Sequence, residues 1–263
     1  MESIIKHFNL VREKNPLVHN ITNYVVMNNT ANALLAVGAS PIMAHAHPEV
    51  EDLIDIVGAS VINIGTLDEY WVDSMMLAAK KANSLGKPWI LDPVGAGASK
   101  YRNDTLAELL HHNPTIIRGN ASEIMSLAKI DIASKGVDSS NSSDEAVDAG
   151  KSLSKSTGAV VCISGEKDYV IKDDKVSMIE NGHPLMGIIT GMGCTATALI
   201  GAFAAVVEDP FEATVSAMAV LGIAGQMASE MAAGPGSMQL YIYDSLYQMG
   251  DTDITNLAKI SML

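Results

Sequence analysis

Short apolar runs alternate with longer segments of helical spacing along most of this chain. Residues 17–21, 40–44, 61–65, 89–92, 115–118 and 160–164 predict strands. Apolar positions recurring every three or four residues predict helices over 22–37, 48–57, 68–85, 121–128 and 143–156. Gly38 and Gly86 stop two of them. Residues 1–15 set charges between Ile4, Ile5, Phe8 and Val11, which is an amphipathic surface helix and not a signal peptide. Two short runs, 169–172 and 175–179, read as a hairpin turning at Asp173-Asp174. From Cys194 on, the pattern is mostly helical. Residues 132–144, rich in Ser and Asp, read as an exposed, mobile loop.

Short strands alternating with longer helices imply an α/β fold of three layers, with a mostly parallel sheet between helices on both faces. No repeat or linker divides the chain, so residues 1–263 are expected to form one domain. Ligands of such sheets sit beyond the carboxyl ends of the strands.

Composition narrows the class. A chain that is 48% hydrophobic and 18% charged can build a substantial core. Its net charge of −13 argues against nucleic acid or an anionic membrane as partner. Two apolar runs, 195–207 and 213–228, are each shorter than the roughly 20 residues of a spanning helix and read as core. The two cysteines, Cys162 and Cys194, form neither a disulfide framework nor a zinc site, so a reduced, cytoplasmic setting is expected.

Candidate chemistry gathers where strands end and helices begin. In Thr190-Gly191-Met192-Gly193-Cys194, two glycines let the backbone turn and aim its N–H groups at one point. The helix behind makes that point an anion site. Cys194 falls in the first turn, beside any bound phosphate and whatever attacks it; a Gly-rich helix start with a buried cysteine gives the same pattern. Asp92 ends a strand before Pro93 and the loop of Gly95 and Gly97, as a Mg²⁺ ligand or as a turn cap. Arg118 ends another, with Asn120 and Glu123 behind it in capping-box register. The latter two either cap the next helix or stand near Mg²⁺ and phosphates, with Arg118 pairing phosphate charge. Ser164 ends a third strand, where a hydroxyl can touch a nucleotide. Cys162 lies mid-strand in the core. His45 and His47 lack a third metal ligand at suitable spacing, and His111-His112 ends a helix. P-loop, dinucleotide and GxSxG patterns are absent.

Five segments in order resemble the hydroxyethylthiazole kinases of the ribokinase-like superfamily: residues 17–23 (LVHNITN), 39–43 (ASPIM), 91–96 (LDPVGA), 117–123 (IRGNASE) and 190–194 (TGMGC). The resemblance covers nearly the whole chain. It implies transfer of the γ-phosphoryl group of ATP to the primary hydroxyl of 4-methyl-5-(2-hydroxyethyl)thiazole, in thiamine salvage. By resemblance, Met43, Gly191, Asn20 and Asn23 contact the thiazole. Arg118, Ser164, Asn120 and Gly193 contact ATP, Asp92 and Glu123 organise Mg²⁺, and Cys194 is catalytic. The family also implies a homotrimer with its thiazole pocket at the subunit boundary. Most ribokinase-like kinases carry Asp where this chain has Cys194, and cysteine is usual in the hydroxyethylthiazole branch. The family often has Thr where this chain has Met192. Three other readings stay open: a kinase for a hydroxymethylpyrimidine or sugar, a cysteine hydrolase with His19, His45, His47 or His183 as base, and a non-catalytic nucleotide-binding module.

Overall fold

The computed structural model describes residues 1–135 and 145–263. Among these, nine strands form one sheet in the order β2-β1-β3-β4-β5-β6-β7-β8-β9. β1 (Leu17–Ile21), β2 (Ser40–Met43), β3 (Ala59–Asn63), β4 (Trp89–Asp92), β5 (Ile116–Asn120) and β6 (Val160–Ser164) run parallel. β7 (Asp168–Lys172), β8 (Lys175–Ile179) and β9 (Ile260–Met262) extend the sheet antiparallel.

Side chains alternate between the two faces of the strands. Val18, Val61, Ile90, Ile116 and Cys162 pack into one core, against α1 (Glu2–Lys14), α2 (Met27–Val37), α8 (Met192–Ala204), α9 (Pro210–Ser229) and α10 (Pro235–Gln248). Ile21, Ile62, Leu91, Ile117 and Val161 pack into the other, against α3 (His47–Ile56), α4 (Glu69–Ser84), α5 (Lys100–Leu110), α6 (Ala121–Lys135) and α7 (Glu145–Thr157). A short α11 (Asp251–Leu257) leads to β9. The predicted α/β/α layering is the observed one.

Two expectations need correction, and two others are borne out with an addition. The helix predicted over 22–37 starts only at Met27. Asn23 Oδ1 accepts the Val25 N–H at 3.1 Å and the Asn23 carbonyl accepts the Val26 N–H at 3.2 Å, so a local turn wins over the helix. α6 runs to Lys135 instead of yielding to a loop at 132; Asp131 is buried and accepts from Ser156 on α7 at 2.6 Å, which anchors its last turns. The remainder of the expected mobile loop, 136–144, lies outside the described residues. The helical tail ends in a strand, because Asn181 Oδ1 takes the Lys259 N–H at 2.8 Å and steers the chain along the edge of β8. The apolar run 213–228 belongs to a 20-residue helix, long and apolar enough to cross a membrane, but 83% of its apolar window is buried inside the fold.

Candidate active site

The polar residues singled out on four strands continue the apolar rows of one face. Two residues after Val18, Ile90, Ile116 and Cys162 come Asn20, Asp92, Arg118 and Ser164, and two after Val61 comes Asn63. Period-two alternation therefore turns all five side chains toward the face covered by α8. Asn63 pairs in register with Asp92, and Asn20 with Met43 on the edge strand β2.

α8 begins in the same place. Gly191 caps it at φ 78°, a left-handed conformation that favours glycine. A Cβ there would also collide with Val26 Cγ1. A Cβ on Gly193 would lie 2.5 Å from Arg118 Nη1, so the guanidinium rests on the first turn of the helix. The Thr195 N–H closes back on the Gly191 carbonyl at 2.8 Å. The Gly193 and Cys194 N–H groups, by contrast, find no acceptor among the described residues, as helix geometry requires of the first turn. At the helix start expected to bind an anion, the structure has a pair of free donors beside the buried Arg118 guanidinium.

A hydrogen-bonded chain crosses the cluster. Asn23 Nδ2 reaches Cys194 Sγ at 3.5 Å and Asn63 Oδ1 at 2.9 Å. Asn63 Nδ2 donates to Asp92 Oδ2 at 2.7 Å, and so does Thr197 Oγ1, from α8, at 2.8 Å. Among the described residues Asp92 Oδ1 is buried with no partner, as are Arg118 Nε and Asn20 Oδ1. Burial raises the Asp92 carboxyl to about 6, against the opposing pull of Arg118, Thr197 and Asn63. Burial, with Asp92 second, pushes the Cys194 thiol up to about 11; the amides of Asn63 and Asn23 and the charge of Arg118 oppose this. The helix N-terminus does not make a thiolate here, and Cys194 stands as a neutral thiol.

Arg118 is 8% exposed, and its Nη2 donates to Ser164 Oγ. Asp168, which sequence reading passed over, stands at the start of β7. It holds the turn after Ser164 by accepting the Gly165 N–H at 3.0 Å, and burial raises its carboxyl to about 6. Of the two readings of the Glu123 segment, the geometry shows the capping one. Asn120 Oδ1 accepts the Glu123 N–H at 2.9 Å and Glu123 Oε2 accepts the Asn120 N–H at 2.8 Å, a complete capping box. Glu123 Oε1 also accepts the Gly95 N–H at 3.0 Å, which draws this carboxylate to the loop that follows Asp92.

Two further residues escaped sequence reading. Asn63 sits in an apolar strand, yet it repeats the register of Asp92. Thr197 hides in an apolar helix, one turn beyond Gly193. The histidines proposed as bases have other partners. His19 bridges Ser60 Oγ and the Ala44 carbonyl, and burial lowers it to about 4. His47 stacks on Tyr70, His45 packs on Trp71, and His183 Nδ1 accepts the Leu185 N–H. Among the described residues no histidine is hydrogen-bonded to Cys194.

The geometry thus joins a neutral thiol, a helix start with two free N–H groups, a buried arginine and a carboxylate with a spare oxygen. The model of the hydroxyethylthiazole kinase family matches residues 8–252. The chain belongs to this family. A hydroxyethylthiazole kinase from Leptospira biflexa is 60% identical over 95% of this chain and 94% of its own length. One from Vibrio parahaemolyticus is 51% identical over 100% and 99%. The solved structure of hydroxyethylthiazole kinase from Pyrococcus horikoshii, 44% identical, superposes over 100% of both chains with a TM-score of 0.94. A Bacillus subtilis pyridoxal kinase, 17% identical with a TM-score of 0.58 over 79% of this chain and 90% of its own, shares the ribokinase-like fold alone.

Proposed function

We propose that this hydroxyethylthiazole kinase family member transfers the γ-phosphoryl group of ATP to the primary hydroxyl of 4-methyl-5-(2-hydroxyethyl)thiazole at the carboxyl end of its sheet. One observation carries the reading: the free Gly193 and Cys194 N–H groups converge with Arg118 and Asp92 beside a thiol that Asn23 holds in place. Phosphoryl transfer needs in-line positioning and stabilisation of spreading negative charge more than it needs a base. The two N–H groups are fixed donors for the transferring oxygens. Arg118 neutralises phosphate charge, Ser164 holds its fork, and Asn120 stands at the nucleotide side. Cys194, as a neutral thiol, orients the acceptor hydroxyl by hydrogen bonding; the hydroxyl proton passes late to an oxygen of the transferred phosphoryl group, as the new O–P bond forms and the bond to ADP breaks. Met43, Gly191, Asn20 and Asn23 surround the thiazole.

The residues fit Mg²⁺. Asp92 offers a buried oxygen without a partner, and Glu123 is tied to the adjoining loop. Among the described residues no three-ligand cage exists, which suits an ion shared between one or two carboxylates and substrate phosphates. Bound there, Mg²⁺ supplies charge neutralisation on the phosphates. Tyr24 and Val25, each 60% exposed on the turn after Asn23, support a homotrimer with the pocket at the subunit boundary. The acidic balance and two free cysteines support a cytoplasmic enzyme of one kinase domain.

ADP release by the purified protein with ATP, Mg²⁺ and hydroxyethylthiazole tests the proposal. Release is expected only with the thiazole, above controls without acceptor or with hydroxymethylpyrimidine. Turnover with the pyrimidine alone would overturn the substrate, and silence with every acceptor would overturn the reaction.

A further inference from the structure

Arg102 is the side chain most committed to the site's loops among those without a role so far. It stands in the first turn of α5 and is half-buried. Its guanidinium makes three hydrogen bonds, all to backbone carbonyls: Nη1 to Ile64 at 2.5 Å and to Val94 at 2.7 Å, and Nη2 to Gly65 at 2.7 Å. These carbonyls belong to two different loops. Ile64 and Gly65 follow β3, and the Gly65 N–H donates to Asn63 Oδ1 at 2.9 Å. Val94 follows β4, and the neighbouring Gly95 N–H donates to Glu123 Oε1. Gly95 sits at φ 71°, and a Cβ on it would pass 3.5 Å from the Arg102 stem.

One planar fork therefore joins the turn that aims Asn63 to the turn that holds Glu123. From the first turn, hydrogen bonds run through Asn63 and Asn23 to Cys194. The second turn continues directly from Asp92. We propose that Arg102 is a positioning residue that fixes the acceptor side of the site, Cys194 with Asn23 and Asn63, against the phosphate side, Asp92 with Glu123, without touching either substrate. This rests on the kinase reading above. An in-line transfer is sensitive to such spacing, since a misplacement of about 1 Å can cost about 100-fold in rate. A lysine, with a point charge on a flexible stem, cannot span both loops as the fork does.

The test compares Arg102→Lys and Arg102→Met with wild type and with Lys87→Met. Lys87 binds three carbonyls at the end of α3, at 2.7–2.9 Å, at the opposite end of the sheet. Measured are kcat, KM for ATP and for the thiazole, melting temperature, and the rate of Cys194 alkylation by iodoacetamide without substrates. Cys162 is fully buried, so labelling of the folded protein reports Cys194. Arg102→Lys is expected to lose kcat about 100-fold with both KM values within about threefold, and to label severalfold faster. Lys87→Met is expected to melt lower and keep kcat within about twofold. If Arg102→Met fails to fold, Arg102→Lys decides. A kcat within about twofold of wild type, or a raised KM for ATP at unchanged kcat, would overturn the proposal. Unchanged Cys194 labelling would overturn it too, whichever alcohol the wild-type enzyme phosphorylates.

Discussion

Lys87 and Arg118 are both cations beside strand ends of one sheet, and their surroundings differ. Lys87, just before β4, spends its ammonium on the carbonyls of Ile54, Asp55 and Val57, closing α3 where the helix dipole is negative. Arg118, at the other end of the strands, is buried with its Nε unpaired and a fork resting on a helix start. The contrast extends to the neighbours. Of five buried side-chain polar atoms without a partner among the described residues, three lie at this carboxyl end: Asn20 Oδ1, Asp92 Oδ1 and Arg118 Nε. Each such atom costs on the order of 1–3 kcal/mol. The amino ends of the strands are built for stability. The carboxyl ends keep polar atoms unpaired, at a cost in stability.

The sharpest way to break this contrast is Asp92→Asn. The variant keeps the shape of the side chain and removes its charge, so kcat is expected to fall on the order of 1,000-fold in steady-state assays. Retained turnover would mean that the spare oxygen is incidental. A smaller effect is expected at Cys194. A neutral thiol that orients a hydroxyl gives a loss on the order of 10–100-fold in kcat for Cys194→Ala, with the thiazole KM little changed, and substantial activity in Cys194→Asp. Because the thiol titrates near 11, Cys194 alkylation should still accelerate with pH between 8 and 10. A plateau by pH 8 would reveal a thiolate instead. The smallest effect on activity belongs to Lys87→Met. Loss of its bonds should cost about 1–2 kcal/mol, seen as a melting point lower by several degrees.

The strand ends were legible in the sequence because polar residues there interrupt short apolar runs. Asp92, Arg118 and Ser164 stand out for that reason. Asn63 obeys the same rule, but Ile64 follows it and masks the strand end. Thr197 was hidden because its methyl suits an apolar helix and only the fold shows where its hydroxyl points. Arg102 and Asp168 act on backbone groups distant in sequence or in a tight turn, and nothing in residue spacing marks such contacts. The helix predicted from residue 22 failed because Asn23 captures the local backbone and in doing so frees its own amide for Cys194. The state of that thiol was undecided in the sequence, where a helix N-terminus and bound phosphate pull in opposite directions. Burial and Asp92, both properties of the fold, decide it.

The most direct measurement is thermal stability of wild type and Asp92→Asn from pH 4 to 7, with a chelator present. Folding raises the Asp92 carboxyl from 3.8 to about 6, so the native state holds this proton more tightly than the unfolded chain does. Its contribution is therefore fully present below about pH 4 and is lost as pH rises through about 6. The variant's stability advantage over wild type, read from the melting temperatures, is expected to grow between these values and then level off at roughly 1–3 kcal/mol, while turnover is lost. An advantage that does not change with pH, or a variant less stable than wild type at pH 7, would contradict that expectation.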